Sequence, residues 1–389
     1  MNKTLKTLDA KLHQDDIFAL SQFAFQYELS PEEMDKKVKE AERHVIWGMF
    51  VDGNLAAKTH LIPLSVYIKG KVFKMGGISS VATWPEYRRQ GLVKDLLTHA
   101  LKHMRAEGQM LSFLYPFSFT FYRKYGWELA FNEVRCDIPM SAFKKRWNPE
   151  GYVRRVEGDL NVLDSIYTAY ATQFTGTLKR DEGWWRDRVL KDKHHIAVAY
   201  NQDDKPVGYV IYHVKKDVLT VTDIAFADLN ARWLLYQFIG QHDSMAEKVK
   251  IVLPEDDPLV LHVDDPRYEQ KLSPYFMARI VDVPGFLQAY PFEAVNHSVK
   301  LSVEDEFMPE NSGTYHVTQT DGATRVTAIQ NHVNDQGVKC SVQLLTMMLL
   351  GYKRPTALKE AGLLNARRAD VEALEQMIPQ HRVYTADFF

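Results

Sequence analysis

The sequence predicts an α+β protein of three consecutive units, and three observations carry this prediction. A strand, a basic turn and an amphipathic helix follow one another between residues 78 and 104. A similar order of elements returns after residue 150. Beyond Pro291, short alternating strands precede one apolar helix, which is typical of an α+β layer. A chain of 389 residues is long enough to form two or three such domains.

Residues 1–147 are predicted to form the first unit. An amphipathic helix at 17–28 is followed by Ser30-Pro31-Glu32-Glu33, an N-cap and a proline that start a second helix. The turns Asp52-Gly53-Asn54 and Lys69-Gly70-Lys71 join alternating apolar segments and are typical of β-hairpins. The unit therefore begins with two helices and continues into antiparallel strands.

The basic turn, Arg88-Arg89-Gln90-Gly91, lies between a strand ending near Ala82 and a helix that starts at Leu92. Unpaired N–H groups and the positive end of a helix suit a pyrophosphate, and glycine lets the backbone approach it closely. The turn lacks the glycine pattern of a dinucleotide site and the ending of a P-loop. An ordinary solvated turn is the alternative interpretation. The residues predicted to bind a pyrophosphate-bearing cofactor are Val81, Ala82, Thr83, Arg88, Arg89, Gln90, Gly91, Leu92 and Val93.

A second informative segment, Phe121-Tyr122-Arg123-Lys124-Tyr125-Gly126-Trp127, follows a predicted strand at 110–115. Gly126 suits the positive φ with which a short helix often ends. A phenol such as that of Tyr122 can act as a general acid. Tyr122 could instead be a packed aromatic side chain between its neighbours.

Together these two segments resemble the GNAT acetyltransferases. Arg88 to Val93 is similar to that family's Arg-x-x-Gly-x-(small) acyl-coenzyme A loop, although Val93 replaces the usual Gly or Ala. Phe121 to Trp127 is similar to the family's F-Y-x-x-x-G-F/W segment. The resemblance implies acetyl-coenzyme A as co-substrate and Tyr122 as the acid that protonates the coenzyme thiolate.

Residues 148–290 are predicted to form a second, degenerate copy of the first unit. Its predicted elements are a helix at 160–174, strands at 196–200, 207–214 and 219–225, and a helix at 231–240. The position that matches the basic turn is Phe226 to Ala231, which has no arginine and no glycine. It also contains Asp228, whose charge would repel a phosphate. We expect this copy to shape the site without binding coenzyme.

Residues 291–389 are predicted to form the third unit, with strands at 298–303, 314–319 and 323–330 and an apolar helix at 341–350. Such a layer can hold a lipid or a partner surface. The three units in this order resemble the enhanced-intracellular-survival (Eis) type N-acetyltransferases. Those proteins carry an active GNAT domain, a degenerate GNAT domain and a sterol-carrier-protein-like domain. The resemblance also implies a hexamer.

The chain ends in Phe388-Phe389, and the Eis resemblance implies that the free carboxylate of Phe389 enters the acetyltransferase cleft as general base. Burying a phenylalanine is worth roughly 1.5–3 kcal/mol, which argues against a frayed tail. An unperturbed α-carboxyl has a pKa of about 3.5 and is a weak base. Desolvation among aromatic rings raises that pKa. We therefore favour a role in positioning a cationic amine over the role of base.

The substrate amine is predicted to bind the N-terminal helices, at Phe25, Tyr27 and Glu28. Glu32, Glu33 and Asp35 follow closely, and acidic and aromatic side chains suit a cationic substrate such as an aminoglycoside or a lysine-containing peptide. A solvated helix face is the alternative interpretation for each acid. Two rival functions remain open: transfer of a longer acyl group, and lipid binding or scaffolding around a vestigial transferase core.

Composition excludes several classes of function. The formal net charge is −2 and no basic stripe occurs, so we expect neither nucleic acid nor a membrane as partner. The N-terminal residues are too polar for a signal peptide, which predicts a cytoplasmic protein. Cys136 and Cys340 have no metal-binding spacing. His99 and His103 are four residues apart on a helix, but no further ligand supports them, and we predict no metal.

Overall fold

The structure is a computed structural model and describes residues 2–144, 147–191, 193–320, 322–329 and 337–389. These residues form two seven-stranded sheets and one four-stranded sheet, each covered by helices. The α+β class predicted from the sequence is confirmed. Within the described residues, no helix combines the length and the apolar character that crossing a membrane requires.

The first sheet has the strand order β1-β2-β3-β4-β5-β14-β6, in which β4 and β5 are parallel and the other pairs are antiparallel. Its elements are β1 (Lys3–Leu8), α1 (Gln14–Phe25), α2 (Pro31–Ala41), β2 (Val45–Val51), β3 (Asn54–Ile68), β4 (Lys71–Thr83), α3 (Leu92–Ala106), β5 (Leu111–Leu114), α4 (Phe119–Arg123), β6 (Glu128–Leu129) and β14 (Met277–Ile280). Helix α3 buries its apolar face on this sheet.

Local turn chemistry explains most boundaries of this sheet. Asp52 and Gly53 take φ values of 49° and 89°, and Lys69 and Gly70 take 50° and 75°, so both predicted hairpins turn through left-handed residues. Helix α1 ends three residues before the predicted end because Gln26 is left-handed, with φ 56°. The sequence analysis missed β1, an edge strand whose mostly exposed polar residues carry little apolar pattern.

The second sheet repeats the first. Its strand order is β8-β9-β10-β11-β12-β7-β13, and β11 and β12 are its parallel pair. The elements are β7 (Asn132–Pro139), β8 (Tyr152–Val156), α5 (Leu160–Ala171), α6 (Glu182–Trp184), β9 (His195–Tyr200), β10 (Pro206–Lys215), β11 (Val218–Phe226), α7 (Leu229–Gly240), β12 (Lys248–Leu253) and β13 (Glu269–Pro274). Helix α8 (Val283–Ala289) follows and packs against the sheet of the third domain. The predicted repeat of element order is confirmed, because α7 follows β11 as α3 follows β4.

The two repeats exchange one strand each. Strand β14, late in the second chain segment, pairs with β5 and β6 in the first sheet. Strand β7, which precedes the predicted boundary at 147/148, pairs with β12 and β13 in the second sheet. The exchange ties the two domains into one structural unit, and the boundaries at 147/148 and 290/291 stay predictions.

The third domain contains the sheet β17-β16-β15-β18. Its elements are β15 (Ser298–Glu304), β16 (Gly313–Thr320), β17 (Ala323–Ile329), β18 (Val338–Ser341), α9 (Val342–Leu349), α10 (Pro355–Glu360) and α11 (Arg368–Met377). The predicted end of the third strand, Gln330, lies outside the described residues. The domain is fixed to β14 by an ion pair between the fully buried Arg279 side chain and Asp305.

The last ten residues leave the third domain and cross the second. Thr175 forms a parallel bridge with Val383. The Tyr384 N–H donates to the Thr175 carbonyl at 3.1 Å, and the Tyr384 ring is buried against Phe174. This path directs the end of the chain to the sheet of the first domain.

Candidate active site

The site begins at a bulge near the end of β4. The pairing of β3 with β4 shifts register between Lys58 and His60, and Ser80 in the opposing strand takes φ 50°. Ile78 is the last residue of β4 that pairs with β5. The two parallel strands therefore separate beyond Ile78. Val81, one of the predicted coenzyme residues, lies at this opening, and the neighbouring Ala82 and Thr83 pair with β3.

A short 3-10 helix, Pro85–Tyr87, separates β4 from the predicted coenzyme turn, which precedes the 15-residue helix α3. Arg88 and Arg89 are exposed. Gly91 takes φ 82°, and a Cβ built on it would meet no atom within 4 Å. Among the described residues, no side chain caps the N-terminus of α3. Free N–H groups, an open glycine and exposed arginines fit the pyrophosphate of acetyl-coenzyme A.

We expect Gly91→Trp to abolish binding of acetyl-coenzyme A, because the indole would fill the open side of the turn. Isothermal titration calorimetry measures this. Gly108→Trp is the matched control, since Gly108 also has positive φ (71°) and an open Cβ side, at the other end of α3. Both variants lose some stability from backbone strain, about 1–3 kcal/mol. Unchanged affinity in the Gly91→Trp variant contradicts this assignment of the turn.

A cavity of about 580 Å³ adjoins the bulge, between helices α1 and α2 and the end of the chain. It brings together five predicted site residues: Phe25, Tyr27, Val81, Tyr122 and Phe389. The other lining residues are Phe18, Ser21, Leu29, Lys37, Glu40, Ala41, His44, His60, Ile78, Ser79, Ser80, Tyr115, Phe117, Arg188 and Phe388. The predicted coenzyme residues from Ala82 to Val93 and the predicted substrate residue Glu28 lie outside this lining.

Tyr122 lies on the short helix α4, whose first turn is capped by Ser118: the Phe121 N–H donates to Ser118 Oγ at 3.3 Å. The Tyr122 side chain is 3% exposed and packs between Phe117 and Trp127. This burial raises the pKa of Tyr122 above its ordinary value, so the phenol stays protonated at neutral pH. It therefore has a proton to donate.

Phe389 is 6% exposed, and its ring occupies the space beside Gly77 of β4. A Cβ on Gly77 would lie 2.6 Å from Phe389 Cε2, so only glycine admits the ring there. Phe276 and Trp184 complete the enclosure, with ring centroids 4.9 and 6.1 Å away. Phe388 remains 52% exposed while it contacts Tyr115, so the expected burial of both terminal rings is wrong for Phe388.

The terminal segment is held by a buried carboxylate, Asp387, that the sequence analysis missed. Asp387 accepts from Trp184 Nε1 at 2.8 Å and from Arg180 Nε at 3.1 Å. Arg180 also donates to Asp223 at 2.6 Å. Both partners belong to the second domain, so this domain positions the end of the chain although its own loop differs from the coenzyme loop. Nothing in the sequence pairs residues 180 and 387.

Comparisons with known proteins agree with this architecture. The family model for an acetyltransferase (GNAT) domain matches residues 9–130, and a second GNAT model matches residues 176–280. A sterol carrier protein domain model matches residues 283–386. N-acetyltransferase Eis of Mycobacterium tuberculosis is 23% identical over 319 residues, which cover 76% of this chain and 75% of the relative. The chain therefore combines two GNAT domains with a sterol carrier protein domain and is a homologue of the Eis N-acetyltransferases.

Two further comparisons extend this result. The chain is 25% identical, over 263 residues, to an uncharacterized N-acetyltransferase of Streptomyces avermitilis. That match covers 62% of this chain and 64% of the relative, less than two thirds of its length. The crystal structure of a probable N-acyltransferase from Enterococcus faecalis V583 has a TM-score of 0.93 and 26% identity, with 100% of both chains covered.

In the second domain, the side chain of Asp228 occupies the loop that corresponds to the coenzyme turn. The carboxylate of Asp228 accepts from the Ala231 N–H at 2.8 Å and caps α7. The corresponding end of α3 carries Gly91 and no side-chain cap. This agrees with a degenerate second copy, because the cap occupies the position where a phosphate would bind.

The acids of helix α2 divide into two groups. Glu32, Glu33 and Asp35 are exposed, and Glu33 completes a capping box with Ser30. Only Glu40 lines the cavity, where it forms ion pairs with Lys37 and Arg188. The interpretation of the acids as a solvated helix face therefore fits Glu32, Glu33 and Asp35.

The two histidines considered as metal ligands pack against a tryptophan ring. His99 and His103 both contact the Trp47 ring edge-on, with centroids 5.0 and 5.1 Å away. Within the described part of the chain, no group of three or more His, Cys, Asp or Glu side chains is arranged to hold a metal ion.

Proposed function

We propose that this protein transfers the acetyl group of acetyl-coenzyme A to a primary amine by direct attack. The observation that carries the proposal is the convergence of Val81, Tyr122 and Phe389 on one cavity beside the coenzyme turn. The three residues come from two different domains. They supply three groups that amide formation from a thioester requires: backbone N–H groups at the end of a strand, a protonated phenol and a carboxylate.

Each group has a defined task in the proposed reaction. The amine nitrogen attacks the thioester carbonyl, and N–H groups at the strand end near Val81 stabilise the oxyanion. The C–N bond forms and the C–S bond breaks as Tyr122 donates its proton to the sulfur. The terminal carboxylate of Phe389 orients the incoming ammonium and is the first candidate to take its proton.

The proposed reaction needs no acyl-enzyme intermediate on a cysteine. Cys136 and Cys340 are buried, and desolvation raises the pKa of each thiol to about 12. Neither thiol lines the cavity. Both therefore stay protonated and remote from the site.

For the amine itself, we propose a small cation, and the cavity lining supports this choice. Its walls include the rings of Phe25, Tyr27 and Phe117, whose faces can contact an ammonium. Phe389 contributes a carboxylate, whereas Glu40 is already paired with two cations. An aminoglycoside or a lysine-containing peptide carries several positive charges. Its further ammonium groups would have to bind the exposed acids outside the cavity, such as Glu32, Glu33 and Asp35.

Thiol release from acetyl-coenzyme A across a panel of primary amines tests this function. The panel pairs aromatic monoamines with polyamines, aminoglycosides and lysine peptides, and omission of amine measures hydrolysis. We expect amine-dependent release for at least one class, with the single-charge amines preferred. Binding of coenzyme without release by any amine contradicts acetyl transfer. The hexamer implied by the family resemblance stays a prediction for sedimentation to test.

A further inference from the structure

A lysine without a charged partner lies behind the bulge of β4. Lys58, on β3, is 0% exposed. Its Nζ lies 2.7 Å from Ser80 Oγ, 3.2 Å from the Ser80 carbonyl oxygen and 3.2 Å from His60 Nε2. These three partners are a hydroxyl, a carbonyl and an imidazole, so none of them supplies the negative charge that a buried ammonium usually requires.

Burial alone lowers the pKa of Lys58 to about 7. The surroundings satisfy either protonation state. As an ammonium, Lys58 can donate to all three neighbours. As an amine, it can donate to the Ser80 carbonyl and to His60, and can accept from the Ser80 hydroxyl. Uptake or loss of a proton therefore leaves no buried polar group unpaired.

The contacts continue from Lys58 along the cavity wall. His60 Nδ1 lies 3.2 Å from His44 Nδ1. Ser80, His60 and His44 all line the cavity, and His44 is the half-buried member of the chain. In the other direction, Ser80 is adjacent to Val81, where the thioester is proposed to bind. The chain thus connects the proposed acetyl-transfer point to a partly exposed imidazole.

We propose that Ser80, Lys58, His60 and His44 conduct the proton released by amide formation away from the acetyl-transfer site, with Lys58 accepting it from the Ser80 hydroxyl. This inference rests on the acetyl transfer proposed above. An ammonium and a thioester give an amide, a thiol and one net proton, which must leave the site in each turnover. The serine hydroxyl passes it to Lys58 Nζ, and each imidazole accepts on one nitrogen and releases from the other.

Several charged groups face this chain. From α2 and the turn after it come Lys37, Glu40 and Arg43, and Arg188 comes from the second domain. Burial lowers the pKa of His44 to about 4 and that of His60 well below its ordinary value. Both imidazoles are therefore neutral at pH 7 and can act as carriers. Transfer requires neutral Lys58, so the rate should rise through pH 7 and level off above it.

Lys58→Met tests the proposal, with Lys102→Met, an exposed lysine on α3, as matched control. The assay is amine-dependent thiol release with an amine that the parent protein acetylates. We expect kcat to fall about 10- to 100-fold, within the range of proton-transfer catalysis. The limb of the kcat–pH profile near 7 should disappear, while KM for acetyl-coenzyme A stays the same.

His44→Gln is the second variant, because it removes a titrating group without touching Lys58 or the bulge. We expect it to lower kcat and to leave coenzyme affinity unchanged. If Lys58→Met only raises KM and keeps the shape of the pH profile, Lys58 supports the bulge and the relay is wrong. A His44→Gln variant with parental kcat also overturns the relay. Neither outcome affects the proposed function, which the parent protein's own activity decides.

Discussion

A chain extended by a few glycines and serines after Phe389 is expected to lose acetyl-transfer activity and to keep its affinity for acetyl-coenzyme A. Phe389 lines the cavity, and among the described residues its terminal carboxylate forms no salt bridge, whereas Glu40 is paired with Lys37 and Arg188. Extension converts the terminal carboxylate into an amide and moves the new carboxylate out of the site. We expect kcat/KM for the amine to fall about 100-fold or more, a loss of roughly 2.7 kcal/mol in transition-state stabilisation.

The same extension at the N-terminus is the control for this experiment. Calorimetry should show parental coenzyme affinity for both chains, because the turn at Gly91 lies outside the cavity lining. Asp387→Asn provides an independent approach, since it weakens the charged contact to Arg180 while the Trp184 indole can still donate. A C-terminally extended chain with unchanged turnover contradicts the role of the carboxylate.

Tyr122→Phe is expected to lower kcat by one to three orders of magnitude, the range of general acid catalysis. The aromatic packing against Phe117 and Trp127 is retained, so thermal stability should stay close to that of the parent. Tyr125→Phe is the matched control, because Tyr125 lies in the same segment and packs against Phe307 outside the cavity lining. A Tyr122→Phe rate within about twofold of the parent excludes Tyr122 as the acid.

The pH dependence of this step has a definite sign. Burial raises the pKa of Tyr122 above its ordinary value. The donor therefore stays protonated as the pH rises through 8 and 9, and the kcat–pH profile should show no fall from Tyr122 in that range. If kcat falls between pH 8 and 9 and the Tyr122→Phe variant lacks this fall, the pKa of the Tyr122 phenol is much lower than its buried surroundings predict.

Local chemistry made much of the fold predictable from the sequence. The hairpin turn at Asp52 and Gly53 and the N-cap at Ser30 depend on residues a few positions apart, and both occur where predicted. The exchange of β14 and β7 was not predictable, because apolar strands of similar composition do not encode which sheet they join. The core of both domains depends on that exchange.

The candidate site likewise has one part that the sequence predicts and another part that only the structure shows. The coenzyme turn and Tyr122 lie in contiguous motifs, so their resemblance to a family was visible. The contact of Arg180 with Asp387 joins residues 207 positions apart, and Lys58 looks like any strand lysine until the bulge at Ser80 is seen opposite it. Glu28 is exposed and lies outside the cavity lining that includes Phe25 and Tyr27, and its role in amine binding stays a prediction.

Direct transfer within one cavity is the central claim, and initial-rate kinetics test it most directly. Thiol release is measured while acetyl-coenzyme A and an accepted amine are both varied. If both substrates must occupy the site together, double-reciprocal plots intersect, and the intact mass of protein mixed with acetyl-coenzyme A alone is unchanged. Parallel lines, with an acetylated protein that passes its acetyl group to added amine, would show a covalent intermediate and contradict direct attack.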